Sequence, residues 1–431
     1  MKVIQEPAKD TWPALCKRAT APMKELESLV QEIFDAVSQD GDKALLEYTS
    51  RFDGVELGDL KVSQKEMQEA TQHIPEELKQ AISLAKNNIH AFHSAQIPQG
   101  VEVETMPGVR CWQTFQAIEK VGLYIPGGTA PLFSTLLMLA VPGDIAGCKE
   151  IVMCTPPREN GTVDPVVLYA AALCGVDTIF KIGGIQAIAA MTHGTESIPG
   201  VYKVFGPGNQ YVTAAKNFAT QLGVAIDMPA GPSELMVIAD ASANPEFVAA
   251  DLLSQAEHGA DSQVILLTPS EELIEKVKEQ VDLQLLQLPR AEIATEALAH
   301  SRAISFRDRK NIVDFMNTYA PEHLIINTND NAFYSENVRN AGSVFIGPYT
   351  PESAGDYASG TNHTLPTNGY AKQFSGVTLQ AFMKSITFQE IDPTGLGSIG
   401  NTIETMAEAE NLQGHKNAVS VRLKALKNKD A

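Results

Sequence analysis

Positive charge is scarce in this sequence. Its 431 residues carry 33 Lys and Arg against 52 Asp and Glu, a formal net charge of −19. Binding a phosphate backbone requires basic side chains to displace counterions, so the balance argues against nucleic acid as a partner. The basic cluster at 422–429 reads as a solvated helix end. Long apolar runs are absent: no stretch approaches the roughly 20 residues that span a bilayer, and residues 1–9 lack the apolar segment of a secretory signal. Cysteine is sparse. Cys16, Cys111, Cys148, Cys154 and Cys174 form an odd set with no C-x-x-C, which argues against a disulfide framework or a cysteine zinc site and for a reducing, cytoplasmic setting. Cys111 and Cys148 both read as structural. No internal repeat or low-complexity segment is present.

A glycine-rich dinucleotide fingerprint is also missing where an α/β block would carry it. The one G-x-G-x-x-G, Gly395 to Gly400, follows the strand-like run 386–391 and precedes the helical run 401–410. The next strand-like stretch, 418–423, ends at Lys424 instead of an acidic ribose partner, and too little chain remains for a sheet. A helix-entry turn is the better reading.

The length is too great for one small core, and a composition of 44% hydrophobic and 20% charged residues is that of a globular protein. From 23 to 93 the pattern is helical: Leu26, Leu29, Val30, Ile33 and Phe34 share a face, and Leu78, Ile82, Leu84 and Ile89 continue the theme. Residues 101–106 and 109–115 read as paired strands through Pro107-Gly108. From 121 apolar β-type runs alternate with helical segments. The runs at 121–125, 150–154, 178–182 and 201–205 end in Gly/Pro turns, at Pro126-Gly127-Gly128, Pro156-Pro157, Gly183-Gly184 and Gly206-Pro207-Gly208. Further runs at 235–238, 264–267, 303–306, 323–326 and 343–346 form a second block.

This predicts an α/β protein with two Rossmann-like parallel-sheet domains, a cleft between them, and small N- and C-terminal helical segments. The expected division is an N-terminal arm at 1–24, a discontinuous main domain at 25–120 and 234–381, a second domain at 121–233, and a helical tail at 382–431. Ligands are expected at the carboxyl edges of the sheets. Residues 349–369 read as an ordered, functional loop.

Of nine histidines, His258, His323, His363 and His415 sit among Asp, Glu, Gln and Asn; the other five read as structural or surface residues. Gln255 and His258 lie three apart on one helix face stopped by Gly259, a weak signal alone. Glu322-His323 pairs a carboxylate with an imidazole, suited to two distinct proton transfers, or a solvated loop pair. Asp356 and His363 stand in the glycine-bearing loop, and Glu410 and His415 follow. Gln255, His258, Asp356 and His415 together make a mixed N/O set that suits Zn²⁺ or Mn²⁺.

These runs resemble the histidinol dehydrogenase family. The match includes S-Q-A-E-H-G (254–259), P-E-H-L (321–324), S-A-G-D-Y-A-S-G-T-N-H (353–363), A-E-A-E (407–410) and H-K-N-A-V (415–419). It also includes Y-I-P-G-G (124–128), G-G-I-Q-A-I-A (183–189), F-G-P-G-N-Q-Y-V (205–212) and A-G-P-S-E (230–234). The resemblance spans residues 26–423. It implies zinc-dependent, NAD-linked oxidation of L-histidinol to L-histidine through the aldehyde, in histidine biosynthesis. It further implies zinc ligands Gln255, His258, Asp356 and His415, and a proton-transfer pair Glu322 and His323. Substrate contacts are Ser233, His363 and Glu410, together with the zinc ligands and His323, and NAD contacts are Tyr124, Gln186 and Asn209. A homodimer is implied, with the tail swapped and His415 supplied by the other subunit. From the residues alone two other classes stay open: a metal-dependent hydrolase, and a binding protein that does not turn over.

Overall fold

The computed structural model describes residues 1–18, 24–127, 131–229 and 231–428. The readings that fall on Met23, Gly128, Ala230 and Lys429 lie outside the described residues. The chain divides into two compact units, Met1–Gln96 with Ile118–Phe382, and Ile97–Ala117 with Met383–Ala431.

Two parallel sheets organise the larger unit, as the βα alternation predicts. One has the spatial order Thr178–Lys181, Glu150–Thr155, Lys120–Tyr124, Lys203–Phe205, Ala225–Ile226. The other runs Lys2–Gln5, Arg302–Ser305, Gln263–Thr268, Glu234–Ala239, His323–Asn327, Ser343–Ile346. In each block the first strand sits inside the sheet, the next two add on one side, and the chain then crosses to the other. The resulting switch point lies between Lys120–Tyr124 and Lys203–Phe205 in the five-stranded sheet. In the six-stranded sheet it lies between Glu234–Ala239 and His323–Asn327.

Strands such as Glu234–Ala239 and Gln263–Thr268 are buried along their whole length, as a sheet covered on both faces requires. Their side chains alternate. Leu235, Val237, Val264 and Leu266 pack with Val248 and Leu252 of the helix Pro245–Ala256. Met236, Ile238, Ile265 and Leu267 pack with Ile312 and Phe315 of the helix Arg309–Tyr319. Both helices start at a side-chain cap: Asn244 accepts from the Glu246 amide and Asp308 from the Lys310 amide.

The N-terminal helices cover the five-stranded sheet. Val30, Ile33 and Phe34 join Val152 and Phe180 on one face, and Ile82 and Ile89 join Val121 and Leu123 on the other. The sequence groups residues 25–120 with 234–381; the packing instead joins these helices to the block at 121–233. Leu84 departs from the expected stripe and is 59% exposed. The N-terminal arm opens as an edge strand, Lys2–Gln5 beside Arg302–Ser305. An edge strand needs backbone pairing on one side only, which a polar segment supplies.

The smaller unit holds an antiparallel sheet in the order Met383–Ile391, Val109–Ala117, Glu102–Met106, with the helices Pro393–Ala409 and Gln413–Lys427. The tail expected to be helical after 382 therefore opens with a strand, at the strand-like run 386–391, and 418–423, read as strand-like, is helical. The Gly395–Gly400 motif occupies the first two turns of a helix whose cap, Asp392, accepts from the Gly395 amide. A Cβ at Gly395 would collide with the Gly108 carbonyl, and one at Gly400 would press on Leu423. The glycines serve close packing within this unit, not a dinucleotide.

Candidate active site

The amino edge of the six-stranded sheet collects ionisable groups at its switch point. His323 is the first residue of its strand and Glu234 the first of the adjoining one. The Glu234 amide donates to Glu322 Oε2 at 2.8 Å, and His323 Nδ1 lies 3.1 Å from the Glu234 carbonyl oxygen. A carbonyl can only accept, so Nδ1 carries the proton and Nε2 of the neutral ring presents a lone pair.

Around this ring stand three carboxylates. Glu352 Oε1 is 3.5 Å and Glu322 Oε2 3.6 Å from Nδ1, and Asp356 Oδ1 is 3.6 Å from Nε2. Glu352 and Asp356 project from one face of the short helix Glu352–Tyr357, so the stretch read from sequence as a loop is partly helical. Ser254 Oγ donates to Glu352 Oε2 at 3.3 Å.

Gln255 lies in the last turn of the helix Pro245–Ala256, and His258 lies beyond its end, past Glu257. Sequence places both on one helix face; they meet instead across the C-terminal turn, Gln255 Nε2 lying 3.1 Å from His258 Nδ1. His363 Nδ1 donates to the Asp356 carbonyl at 2.9 Å. Its Nε2 accepts from Thr135 Oγ1 at 3.1 Å, a residue of the helix Phe133–Ala146 in the five-stranded block.

The crowding shapes the titration. Burial pushes Glu322 up to about 8, against the pull of His323 and the Glu234 amide. Burial also raises Glu352. Burial alone would lower His323, but Glu322, Glu352 and Asp356 outweigh it and raise it to about 10; a cation held among the same carboxylates would offset that pull and leave the ring neutral, with Nε2 free. Burial opposes ionisation of Asp356, yet the neighbouring imidazoles keep it below the ordinary carboxylate range. His258 and His363 are lowered, chiefly by burial. The groups titrate as one set.

Three buried atoms here have no hydrogen-bond partner: Gln255 Oε1, His323 Nε2 and Glu352 Oε1. Ligand-capable atoms of His323, Glu352 and Asp356 lie within 4.8 Å of one another. Dry lone pairs without donors are costly, and a cation answers them; the donor set fits zinc.

At the carboxyl edge of the five-stranded sheet lies a cavity of about 1080 Å³, lined among others by Asp53, Tyr124, Gly127, Gln186 and Asn209. Tyr124 Oη accepts from the Gly184 amide at 3.1 Å. Gly184 (φ 64°) opens the helix Gly184–His193 with no side-chain cap, and Gln186 Oε1 is buried without a partner. Gly206 (φ 136°) allows the following turn to pass against the Tyr124 carbonyl, where a Cβ would collide.

The sequence model described as Histidinol dehydrogenase matches residues 16–423. The chain belongs to the histidinol dehydrogenase family. It is 60% identical over 427 residues to a histidinol dehydrogenase of Bacteroides thetaiotaomicron, covering 99% of this chain and 100% of that one. It is 52% identical over 415 residues to the Escherichia coli histidinol dehydrogenase, covering 96% and 95%. A crystal structure of histidinol dehydrogenase from Elizabethkingia anophelis superposes with a TM-score of 0.97 at 53% identity, covering 99% of each chain.

Of the residues to which the histidinol dehydrogenase resemblance gives roles, Gln255, His258, Glu322, His323, Asp356 and His363 gather at the amino edge, and Ser233 directly precedes Glu234. Tyr124, Gln186 and Asn209 line the cavity. Glu410 and His415 belong to the smaller unit, where both are exposed. Sequence reasoning missed Glu352, Glu234, Arg18 and Thr135. Only Glu352 left a local signal, a second carboxylate four residues before Asp356. The cysteines are free, and burial pushes the Cys148 thiol up to about 11, far from a reactive thiolate. No helix of the described residues is long and apolar enough to cross a membrane.

Proposed function

We propose that this chain oxidises L-histidinol to L-histidine through L-histidinaldehyde, in two NAD-linked steps of cytoplasmic histidine biosynthesis. The observation that carries the reading is the buried Glu322–His323 pair. Its one free imidazole nitrogen faces Asp356, and unpartnered ligand atoms stand around it.

Gln255, His258 and Asp356 would hold zinc, with His415 supplied by a second protomer. Zinc would supply a Lewis acid and a template for the substrate's nitrogens, and Tyr124, Gln186 and Asn209 would hold NAD, the hydride acceptor. His323 Nε2 takes the hydroxyl proton as hydride leaves carbon, because Nδ1 is committed to the Glu234 carbonyl. Glu322, pushed up to about 8, is poised near neutral pH to take a proton from the water that adds to the aldehyde. His323 then accepts the proton of the hydrate as the second hydride leaves. Ser233, His363 and Glu410 help position the substrate.

Homodimerisation is supported by the smaller unit's surface. Ile386 and Phe388 are exposed on one face of its sheet and Val103 and Ile391 on the other, apolar surface that a second copy would cover.

The test is NADH formation from L-histidinol and NAD, before and after metal removal and after zinc is restored. Two NADH per histidinol, lost with the metal and regained with zinc, is the expected result. No NADH from zinc-loaded protein would turn the reading toward a metal-dependent hydrolase or a binding protein without turnover.

A further inference from the structure

Both members of the proton-transfer pair are attached to one residue. The Glu234 amide holds Glu322 Oε2 at 2.8 Å, and the Glu234 carbonyl lies 3.1 Å from His323 Nδ1. The peptide groups on either side of a single Cα thus orient the carboxylate and fix the tautomer of the imidazole. Glu234 stands at the very start of its strand, where the ladder of backbone bonds has only begun.

The Glu234 side chain is anchored in turn. It is wholly buried, and its carboxylate accepts from Arg18 Nε at 2.9 Å, from Arg18 Nη2 at 2.8 Å and from the Asn368 amide at 2.5 Å. Arg18, its side chain 6% exposed, also donates to the carbonyls of Cys16 and Tyr319, each at 2.8 Å, and lies 3.6 Å over the Tyr319 ring. Tyr319 Oη donates to Gln263 Oε1 at 2.9 Å, tying the set to the next strand. A two-pronged guanidinium–carboxylate bond has one geometry, and here further bonds fix both partners. Buried ion pairs are weak sources of stability; this one has a different use.

We propose that the Arg18–Glu234 pair is a positioning device for the oxidation. It locks the peptide groups flanking the Glu234 Cα so that Glu322 is held in place and His323 keeps Nε2 free to accept protons. The inference rests on the reading of Glu322 and His323 as the proton-transfer pair. Arg18 and Glu234 need not touch substrate; they act through the two residues that do.

The test compares Arg18→Lys, which keeps the charge but not the fork, and Glu234→Gln, which keeps the shape but not the charge, in the full-length zinc-loaded enzyme. Each should lower kcat by on the order of tenfold or more, since misplacement of a reacting group by about 1 Å costs up to a hundredfold. KM for histidinol and NAD, and zinc content, should not change. Arg18→Ala should lose more and regain part of its rate when guanidinium ion is added. In a His323→Asn background, Arg18→Lys should cost clearly less than in the wild-type chain, because the group it orients is gone. Where Arg18→Ala does not fold, the two conservative variants carry the test. An unchanged kcat with a lowered melting temperature would overturn the proposal, as would an equal loss in both backgrounds. His323→Asn retaining the wild-type kcat would remove the underlying assignment instead, and that single variant tells the two failures apart.

Discussion

The two parallel sheets share a winding order and use opposite edges. In the five-stranded sheet the switch point opens at its carboxyl edge, onto the cavity that Tyr124, Gln186 and Asn209 line. In the six-stranded sheet the ionisable cluster sits at the amino edge, around Glu234 and His323. Crossover helices run antiparallel to their strands, so their N-termini collect at the carboxyl edge and their C-termini at the amino edge. The first carries partial positive charge and the second partial negative. An uncapped helix start at Gly184 favours an anion such as a pyrophosphate. The helix end at Gln255, with His258 just beyond, favours a cation. One topology thus offers two electrostatic environments, and this chain draws on both.

If that division is correct, damage to the amino edge should stop chemistry, and damage to the carboxyl edge should weaken cofactor binding. The largest effect is expected from His323→Asn. A general base contributes about 10²- to 10⁴-fold, so kcat should fall by that order with zinc content unchanged, as steady-state rates and metal analysis will read. Loss of zinc would instead make His323, Glu352 and Asp356 the ligand cluster. Glu322→Gln should slow aldehyde oxidation by about a hundredfold and spare the alcohol step, so early NADH per histidinol drops toward one and aldehyde accumulates. Gln186→Ala removes one polar contact of about 1 kcal/mol. It should raise KM for NAD by about fivefold while leaving kcat alone; a fall in kcat with KM unchanged would blur the contrast between the edges.

The smallest effect concerns Asp53, at the rim of the cavity. Burial pushes its carboxyl from 3.8 up to about 6, and Oδ2 has no partner. The folded value lies above the unfolded one, so the native state holds the proton more tightly. Stability therefore falls as pH rises from about 4 to 6, and the cost is complete above that range. Asp53→Asn should relieve it. At pH 7.5 the gain should be on the order of 1 kcal/mol after allowance for solvent screening, or about 1–2 °C in Tm, with none near pH 4. Thermal melts at the two pH values decide it. No gain at pH 7.5 would mean that the carboxylate is already compensated.

Where one contiguous pattern determined an element, the sequence was readable. The strands at 150–155, 178–181, 263–268 and 343–346 fall within a residue or two of the apolar runs. The strand Lys2–Gln5 was not readable, because its two apolar residues, Val3 and Ile4, stand between polar ones in a run too short to register. The helix Glu352–Tyr357 was hidden in a short polar stretch, and residues 418–423, where Val419, Val421 and Leu423 alternate with Ser420 and Arg422, read as a strand. The apolar stripe of residues 26–34 revealed a helix but not which sheet it would cover. His258, His323, His363, Glu322 and Asp356 stood out by type and company, whereas Glu352 was passed over. Glu234 did not stand out, since its partners Arg18 and Glu322 are distant in the chain and no local pattern encodes such a meeting.

The strand Lys2–Gln5 finds its partner only far along the chain. Lys2 pairs with Arg302, and Arg18 with Glu234, whereas the strands of the five-stranded sheet and their covering helices lie within residues 24–226, their core completed by Met228, Val377 and Phe382. Such distant pairings form slowly, and domains made early can fold during synthesis. The cavity beside Tyr124 can therefore take shape largely on a nascent chain, while Glu322 and His323 are set only after the N-terminal segment has docked, so that assembly of the amino-edge cluster marks the completion of the fold.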